Sequence, residues 1–403
     1  MNVRIKLFFC FLLVGALVVI AGNVSSFISQ RTLEKTIGEN LVFVTHEVLD
    51  SIDRDLLGRI NEWTAYSKNM HLQNVLEESN KTFQMLDNPQ KYIDKENRAW
   101  TAAGESEITP FMNNLITNPV SMDLKRRIGY YENVYGYKVF GEIFVTNKYG
   151  ANVVQTGKTS DYEQGDEAWW AGAKKDGLYI GDITYDKSAD VYSIDIGIRV
   201  DDQLGMFLGV MKVVFNLKEV ISIIEQAKNK SNYSTTESML INKNGRVIYS
   251  SKTHSVLDNI LQSGLFRNIQ EEQGYFIASP DVLGEIEKLF TYAHSDKGGH
   301  IKSLGWVLIT EQETREIFSP VAKMKNITLF STIGVMIIAI LLGFAVSHSI
   351  TQPLVHLRNA IDKVAKGDLK VEINVDSNDE FGSLAHSFNN MVTELRRSRE
   401  GFK

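Results

Sequence analysis

Two adjacent tryptophans, Trp169 and Trp170, follow the acidic residue Glu167 in the stretch EAWWAGA, and the chain holds only five tryptophans. Adjacent residues of a helix point about 100° apart, so we expect one ring to pack against a core and the other to meet a ligand. Aromatic rings beside carboxylates can also form a cage for a cation. The alternative that needs no ligand is a core tryptophan beside an interface tryptophan.

Two segments further along have the alternation of β-strands and bring charges toward this region. In residues 191–200 (VYSIDIGIRV), Ser193 and Asp195 share one face and the isoleucines share the other, which should pack on a preceding helix. In residues 209–215 (GVMKVVF), Lys212 interrupts an apolar run, which is unusual because burying an unpaired charge costs free energy. We expect Lys212 to face the same cavity as Asp195 and to pair with it or with an anionic ligand group. The alternative is a lysine that reaches solvent at the sheet edge.

The composition excludes several classes of protein. The 403 residues are 43% hydrophobic and 23% charged, which is typical of folded domains, and the net charge of −6 gives no reason to expect nucleic-acid binding. One cysteine, Cys10, allows neither an intramolecular disulfide nor a cysteine-rich zinc site. We find no HExxH, P-loop, Rossmann or nucleophile-elbow motif. The sequence therefore predicts no metal, no cofactor and no catalytic residue.

Two uncharged hydrophobic runs divide the chain. Residues 7–29 and residues 326–347 are each long enough for a helix that spans a bilayer of roughly 30 Å. Basic residues in the N-terminal segment 1–6 predict that this end is cytoplasmic, which places residues 30–325 outside the membrane and residues 348–403 inside. The alternative for the first run is a cleaved signal peptide that ends at the sequence VIA. An outer segment without cysteine fits a bacterial inner membrane.

The segment after the second span shows two amphipathic helices with an extended connector. The first repeats apolar residues in steps of three and four, as in a coiled coil, and the second does the same. The residues of the first seam are Leu354, Leu357, Ile361 and Val364, and those of the second are Leu384, Phe388, Met391 and Leu395. Helices this short are unstable alone, so we expect a second chain to complete a parallel four-helix bundle.

This segment resembles a HAMP domain, the signal converter of bacterial transmembrane receptors. The resemblance rests on a helix entrance, a turn and two short motifs that the family shares: Pro353, Gly367-Asp368-Leu369, Asp379-Glu380-Phe381-Gly382 and Phe388-Asn389-Asn390-Met391. The resemblance implies a parallel homodimer that performs no chemistry. It also implies two packing states that relay a shift of the membrane helix.

The outer segment begins with a long amphipathic stalk helix, predicted over residues 30–80, and continues with an apparent duplication. Residues 144–155 and 240–250 share a strand, an Asn-Lys-x-Gly turn and a second strand. Residues 209–220 and 305–317 share a buried strand that leads into a helix. The two pairs are offset by nearly the same number of residues, so we interpret them as two copies of one PAS-like α/β module.

A stalk helix, two PAS-like modules, a second span and a HAMP segment resemble the double Cache (dCache) receptors of bacterial chemotaxis and two-component signalling. The resemblance implies an extracytoplasmic sensor domain over residues 30–325, with a distal module near residues 140–226 and a proximal module near residues 233–318. In this family the distal module usually holds the ligand. The predicted fold class is therefore α+β, with two membrane helices flanking a tandem PAS-like domain.

The family pattern also bears on the ligand. Members that bind α-amino acids use an Arg-x-Trp-Tyr pattern, and Trp169, Trp170 and a later tyrosine, Tyr185, match its aromatic positions. Glu167 stands in the arginine position and Val214 stands where the family has an aspartate. The resemblance therefore disfavours an α-amino acid. A cationic or neutral ligand that contacts Glu167 and an organic anion that contacts Lys212 both remain open.

The predicted function is a homodimeric receptor that senses a small molecule and relays the signal through the second span and the HAMP segment. Its predicted partners are that ligand, the lipid bilayer, a second copy of the chain, and a cytoplasmic signalling partner or output domain. One alternative is the sensory portion of a histidine kinase or diguanylate cyclase whose catalytic domain lies outside this chain. Another is an envelope protein that binds other proteins and no ligand.

Overall fold

The computed structural model describes residues 3–400 except residues 105, 187–189, 253–254, 261–267, 270, 279–285, 296–303 and 375–378. The chain divides into two compact units, Met1–Lys35 with Phe318–Lys403, and Thr36–Ile317. The helices of the described residues are α1 (Val3–Tyr66), α2 (Met70–Gln84), α3 (Pro89–Ala102), α4 (Pro110–Thr117), α5 (Pro119–Tyr135), α6 (Ala168–Asp176), α7 (Lys218–Asn229), α8 (Thr314–Ile317), α9 (Ser319–Ala365) and α10 (Glu380–Glu400).

The strands form two five-stranded antiparallel sheets in the second unit. The distal sheet has the order β2-β1-β5-β4-β3 and the proximal sheet has the order β7-β6-β10-β9-β8. The distal strands are β1 (Phe140–Asn147), β2 (Asn152–Gln155), β3 (Leu178–Asp186), β4 (Val191–Asp201) and β5 (Phe207–Asn216). The proximal strands are β6 (Glu237–Ile241), β7 (Val247–Ser250), β8 (Gln273–Ala278), β9 (Lys288–His294) and β10 (Val307–Glu313).

The identical strand order bears out the duplication seen in the sequence. Both copies open with a hairpin whose turn is built in the same way. The side-chain oxygen of Asn147 accepts hydrogen bonds from the backbone N–H groups of Tyr149 and Ala151, and that of Asn242 accepts from two N–H groups at matching positions. Such local bonds from asparagine favour a tight turn. The sequence echo therefore reflects one module that occurs twice.

The first unit contains two helices that are long and apolar enough to cross a membrane. They are α1 and α9, whose most apolar windows have mean hydropathies of 2.2 and 2.6. The two helices contact each other. A Cβ atom built on Gly15 would lie 3.1 Å from the Cβ of Ala339, and the Ser26 hydroxyl lies 3.3 Å from that of Thr328. Small residues allow such close contact between membrane helices.

The predicted stalk helix over residues 30–80 is wrong at its C-terminal end, because the structure has two helices there. α1 ends at Tyr66, and α2 begins after Asn69. Asn69 has an extended backbone, and its side-chain oxygen accepts a hydrogen bond of 2.9 Å from the backbone N–H of His71. Asparagine is a favoured N-cap because this bond satisfies a free N–H of the first turn. The apolar periodicity continues across the break, which is why the sequence pattern concealed it.

The main core of the second unit lies between α1 and one face of each sheet. Leu56, Ile60 and Trp63 of α1 pack with Ile196 of the distal sheet, as expected for the isoleucine face of that strand. The same cluster includes Leu308 of the proximal sheet. We call this side of each sheet its stalk side. The opposite sides of the two sheets have separate apolar clusters.

A carboxylate fixes the segment that joins the proximal sheet to α9. Glu316 of α8 accepts four hydrogen bonds, from the backbone N–H and the hydroxyl of both Ser234 and Thr235, at 2.6–2.9 Å. Hydrogen bonds to the charged form favour it, and here they lower the pKa of Glu316 to about 2. Glu316, which lies just before α9, is therefore hydrogen-bonded to the start of the proximal module.

We expect Glu316→Gln to lower the stability of the full chain at pH 7. A carboxylate whose pKa is lowered in the folded state stabilises that state above its ordinary value of 4.5, and the contribution disappears as the pH falls toward 2. Because solvent screens this exposed group, the loss in Tm at pH 7 should be only about 1–3 °C. Thermal unfolding between pH 7 and pH 3 measures it. Glu313→Gln is the control. Glu313 also contacts Thr235, but through its backbone N–H, so this bond does not depend on the charge of the side chain.

Candidate ligand-binding site

The tryptophan pair lies on α6, which packs on the face of the distal sheet opposite the stalk side. Both rings are buried, with exposed fractions of 5% for Trp169 and 7% for Trp170. The Trp169 ring makes an edge contact with Phe144, and the Trp170 Nε1–H donates a hydrogen bond of 2.8 Å to the Thr146 hydroxyl. The expectation that only one ring would pack is therefore corrected. Both fit because they contact different parts of the sheet.

Gly197 of β4 allows α6 to lie this close. A Cβ atom at position 197 would lie 3.0 Å from the backbone oxygen of Trp169 and 3.0 Å from the Cβ of Ala173. Glycine is used where a backbone must approach another element closely. The helix with the two tryptophans is thus held directly on the centre of this face.

Lys212 and Asp195 form an ion pair on the same face, as the sequence predicted. Lys212 Nζ lies 3.0 Å from Asp195 Oδ2, and the side chains are 12% and 22% exposed. The ammonium also lies 5.4 Å from the ring centroid of Trp169 and 5.6 Å from that of Phe144. Such distances allow a cation–π attraction. The lysine is therefore paired with Asp195 and lies against two aromatic rings, and it does not extend freely to solvent.

Two polar atoms beside this pair are buried without a partner. Among the described residues, neither Ser193 Oγ nor Asp195 Oδ1 has a hydrogen-bond partner. The two residues are adjacent on the same face of β4, and Thr184 of β3 pairs with Ser193 on that face. Buried polar atoms without a partner are uncommon in proteins and often mark a site that something else completes. This part of the face can accept a hydrogen bond from a ligand.

The edge of the site carries several carboxylates. Glu167 is the N-cap residue of α6 and is exposed, with no side-chain capping bond. Burial raises the pKa of Asp161, and the neighbouring charges of Glu167 and Asp166 raise it further, while Lys212 lowers it. Asp161 is therefore close enough to Glu167, Asp166 and Lys212 to interact with their charges. Basic groups lie on this face as well, since Lys174 Nζ is 4.7 Å from the ring centroid of Trp170.

Tyr185 is not part of this site, which corrects the prediction from the family pattern. A β-bulge between Ile180 and Ile183 shifts the register of β3 against β4, so Tyr185 pairs with Tyr192 on the stalk side. Its ring contacts Tyr192 at 5.3 Å, and its hydroxyl donates a hydrogen bond to the Asp190 carboxylate. A bulge reverses the alternation of faces, and strict alternation does not capture it, although the isolated Gly181 inside the strand is a weak signal for it.

Several residues of the site were missed by sequence reasoning. Phe144 and Thr146 receive the two tryptophans, and Asp161 and Thr184 stand beside the charged pair. Alternation along β1 could have indicated Phe144 and Thr146, because Ile143 and Val145, which alternate with them, face the stalk side. Asp161 lies in an irregular segment, for which no periodicity exists.

In the C-terminal segment, α9 and α10 pack through only part of the predicted seams. The buried cluster there contains Ala360, Ile373, Ala385, Phe388 and Val392, with Leu357, Val364 and Val371 packed against it. The predicted seam residues Leu354, Ile361, Leu384, Met391 and Leu395 are 37–49% exposed within one chain. One chain thus covers two residues of the first seam, Leu357 and Val364, and one of the second, Phe388, and leaves the other five exposed.

The remaining predicted residues of this segment lie in α9, in the connector and at the start of α10. Gly367 has a left-handed φ of +92°, and Leu369 beyond it is half-buried. Glu380 begins α10, and the backbone N–H of Gly382 donates a hydrogen bond of 3.2 Å to Asp379. Pro353 lies inside α9. In addition, the Asn389 side chain exchanges two hydrogen bonds of 2.9 Å with the backbone of Ile373, which fixes the connector on α10.

Comparison with known proteins identifies this segment. Residues 345–397 match the HAMP domain family. The sensor protein kinase WalK of Staphylococcus haemolyticus (strain JCSC1435) is 24% identical over 189 residues, which are 45% of this chain and 30% of that protein. A putative sensory transducer protein of Acetivibrio thermocellus is 24% identical over 186 residues, which are 44% of this chain and 32% of that protein. The chain thus spans about a third of the length of these relatives.

Solved structures with a similar arrangement are extracytoplasmic domains of receptors. The ligand-binding domain of Mlp24 with asparagine is 17% identical, with a TM-score of 0.36 over 68% of this chain and 99% of that chain. The ligand-binding domain of the Pseudomonas aeruginosa PAO1 amino-acid chemoreceptor PctC, in complex with GABA, is 12% identical, with a TM-score of 0.37 over 64% of this chain and 99% of that chain.

A HAMP domain that follows a membrane-spanning helix, with an α+β domain between two such helices, defines a transmembrane signalling receptor. This chain is a receptor of that class. It is therefore a membrane protein, and its α+β domain lies between α1 and α9 in the chain.

We expect Lys212→Met to lower the free energy of unfolding by about 1–3 kcal/mol, because it leaves the half-buried Asp195 without its cation. The double variant Lys212→Met/Asp195→Leu should recover much of this loss, since neither charge then remains. Urea unfolding followed by tryptophan fluorescence compares the variants. If the double variant loses as much as the two single variants together, the ion pair is not a coupled unit.

Proposed function

We propose that the receptor senses a small ligand in the distal module, at the face that holds Trp169, Lys212 and Asp195. The observation that carries this proposal is a pair of buried acceptors, Ser193 Oγ and Asp195 Oδ1, for which the described part of the chain supplies no hydrogen-bond donor. A ligand that donates hydrogen bonds to both completes the site, because burying an acceptor without a donor costs free energy.

The charges around the site favour a ligand with an amine. Lys212 is already paired with Asp195 and lies against two aromatic rings, so it is poorly placed to bind a carboxylate. Asp161, Asp166 and Glu167 add negative charge at the edge. An ammonium group both donates hydrogen bonds and carries the complementary charge. Of the two classes that the sequence left open, the geometry supports the cationic one.

The receptor acts by binding the ligand with unequal affinity in two packing states. A ligand shifts such an equilibrium only through its differential affinity, and typical couplings are about 1–3 kcal/mol. The proposed site lies on one side of the distal sheet, and α1 packs on the other. A ligand therefore acts on α1 by changing how β4 and β5 pack on it. The second span and the HAMP domain relay the change to the cytoplasm.

Dimerisation through the HAMP domain is the second part of this proposal. Leu384, Met391 and Leu395 line up on one side of α10 and stay exposed in a single chain. Exposed apolar residues with coiled-coil spacing are usually covered by another helix. A second copy of the chain covers them in a parallel four-helix bundle, as the resemblance to the family implies.

The output of the receptor belongs to a signalling partner or a domain beyond this sequence. The relatives include a sensor kinase and a sensory transducer, so both two-component and chemotaxis-type outputs are candidates. The sensor kinase and the sensory transducer are both 24% identical to this chain, so the identity favours neither output over the other.

The ligand proposal is tested by thermal shift with the full chain in lipid nanodiscs, using small primary amines and matched carboxylic acids. An amine present at 100 times its Kd should stabilise the protein by about 2.7 kcal/mol. Asp195→Asn should weaken amine binding by about tenfold, because it removes the charge that the ammonium meets. Asp202→Asn is the control, since it makes the same change in the turn between β4 and β5, where an amide oxygen can still accept from the N–H groups of Leu204 and Met206. Stabilisation by the acids alone would contradict the cationic assignment.

The dimer proposal is tested by disulfide crosslinking in membranes. Cysteine at position 384 or 391, introduced as Leu384→Cys or Met391→Cys in a Cys10→Ser background, should form covalent dimers on mild oxidation. His386→Cys is the control, because residue 386 lies about 200° around the helix from residue 384. Equal crosslinking at all three positions would show random collision and not a bundle.

A further inference from the structure

A cavity lies in the proximal module, on its stalk side. It has a volume of about 330 Å³ and is bordered by α1, α7 and the strands β6, β9 and β10. We name it the stalk cavity. Leu41, Val44 and Val48 of α1, Ile224 of α7 and Leu308 of β10 form an apolar wall. The volume is at the lower end of the range for pockets that bind small molecules.

The wall facing α1 is polar, and one of its hydroxyls, that of Thr291, bonds the Thr45 hydroxyl of α1 at 2.7 Å. It consists of hydroxyl and amide side chains of the proximal sheet and the segment before it: Thr236, Ser238, Thr291, Thr310 and Gln312. On the stalk side of the distal sheet, the same strands of the repeat carry Ile194, Ile196, Met211, Val213 and Phe215. Sheet faces that cover a helix are normally apolar. The proximal copy has thus replaced aliphatic residues by hydroxyls around an open space.

The charged residues that line the stalk cavity are both lysines, Lys228 and Lys230. Lys228 Nζ is 3.5 Å from Glu237, which is long for a charged hydrogen bond. Glu237 is also bonded by the Ser251 hydroxyl and lies 3.4 Å from Lys252. Lys228 can therefore turn to an anion in the cavity while the Glu237 carboxylate keeps partners.

The walls of the stalk cavity continue in the chain into both membrane spans. α1 is the helix that contains the first span, and β10 leads through α8 into α9. Tyr233 and Thr236, which line the cavity, flank the two residues that bond Glu316 of α8. A molecule in this cavity therefore touches the stalk and the segment that is tied to the start of the second span.

We propose that the stalk cavity is a second ligand site, which binds a small aliphatic carboxylate. The hydrocarbon chain lies against Leu41, Val48 and Leu308, and the carboxylate meets Lys228 and the hydroxyls of the opposite wall. Binding there alters how α1 packs on the proximal sheet, without any contribution from the distal module. The site thus gives the receptor a second, independent input.

The probe is hexanoate, titrated by isothermal calorimetry into the full chain in nanodiscs, with empty discs subtracted. Hexanamide is the matched probe, because it has the same chain and no charge. We expect hexanoate to bind more tightly than hexanamide, and Lys228→Gln to weaken hexanoate binding by about tenfold. Lys252→Gln should leave binding unchanged. It removes the other lysine beside Glu237, but Lys252 does not line the cavity.

Ala227→Phe provides a steric test, because a phenyl ring at this lining position fills the cavity. It should abolish hexanoate binding, while Asp195→Asn in the distal module should not affect it. The proposal is overturned if hexanoate binds no better than hexanamide, if Lys252→Gln weakens binding as much as Lys228→Gln, or if Ala227→Phe binds like the wild type. Loss of binding in Asp195→Asn would place hexanoate in the distal site instead.

Discussion

The apolar stripe of α1 is the contact on which both sensor modules depend. Leu49, Ile52, Leu56, Ile60 and Trp63 are almost completely buried, and they belong to one cluster that includes residues of both sheets. Since burial of each such side chain contributes about 1.5–3 kcal/mol, the two modules are stabilised through the same helix. A change in the packing of either sheet therefore acts on α1, and α1 is also the helix that contains the first membrane span.

The two modules share a topology but differ in where their polar groups lie. The distal sheet is apolar on its stalk side and carries the pair of Lys212 and Asp195 on the other side. The proximal sheet has an apolar cluster on that other side and hydroxyls toward the stalk. The two copies share one framework, and their polar groups lie on opposite faces of the sheet. Fold similarity between the copies is therefore a poor guide to function within each.

Features that follow a simple period could be predicted from the sequence, and features that break a period could not. Alternation along β4 and β5 correctly placed Asp195 and Lys212 on one face, because a strand has a period of two. The bulge before Ile183 places Tyr185 on the other face. α1 ends at Tyr66 and α2 begins after its N-cap Asn69, although the apolar pattern continues across this break. The burial of both tryptophans depended on tertiary contacts with β1 and β5, which no local pattern specifies.

Gly197 has a consequence for how receptors with this module can diverge. Because position 197 has no side chain, α6 rests on the backbone of β4, the strand that also carries Asp195. A larger residue at this position would collide with Trp169 and Ala173 and so move α6 away from β4. The spacing between these two elements can thus change through one position that is separate from Lys212 and Asp195. In the site proposed above, ligand size and ligand charge would then depend on different residues.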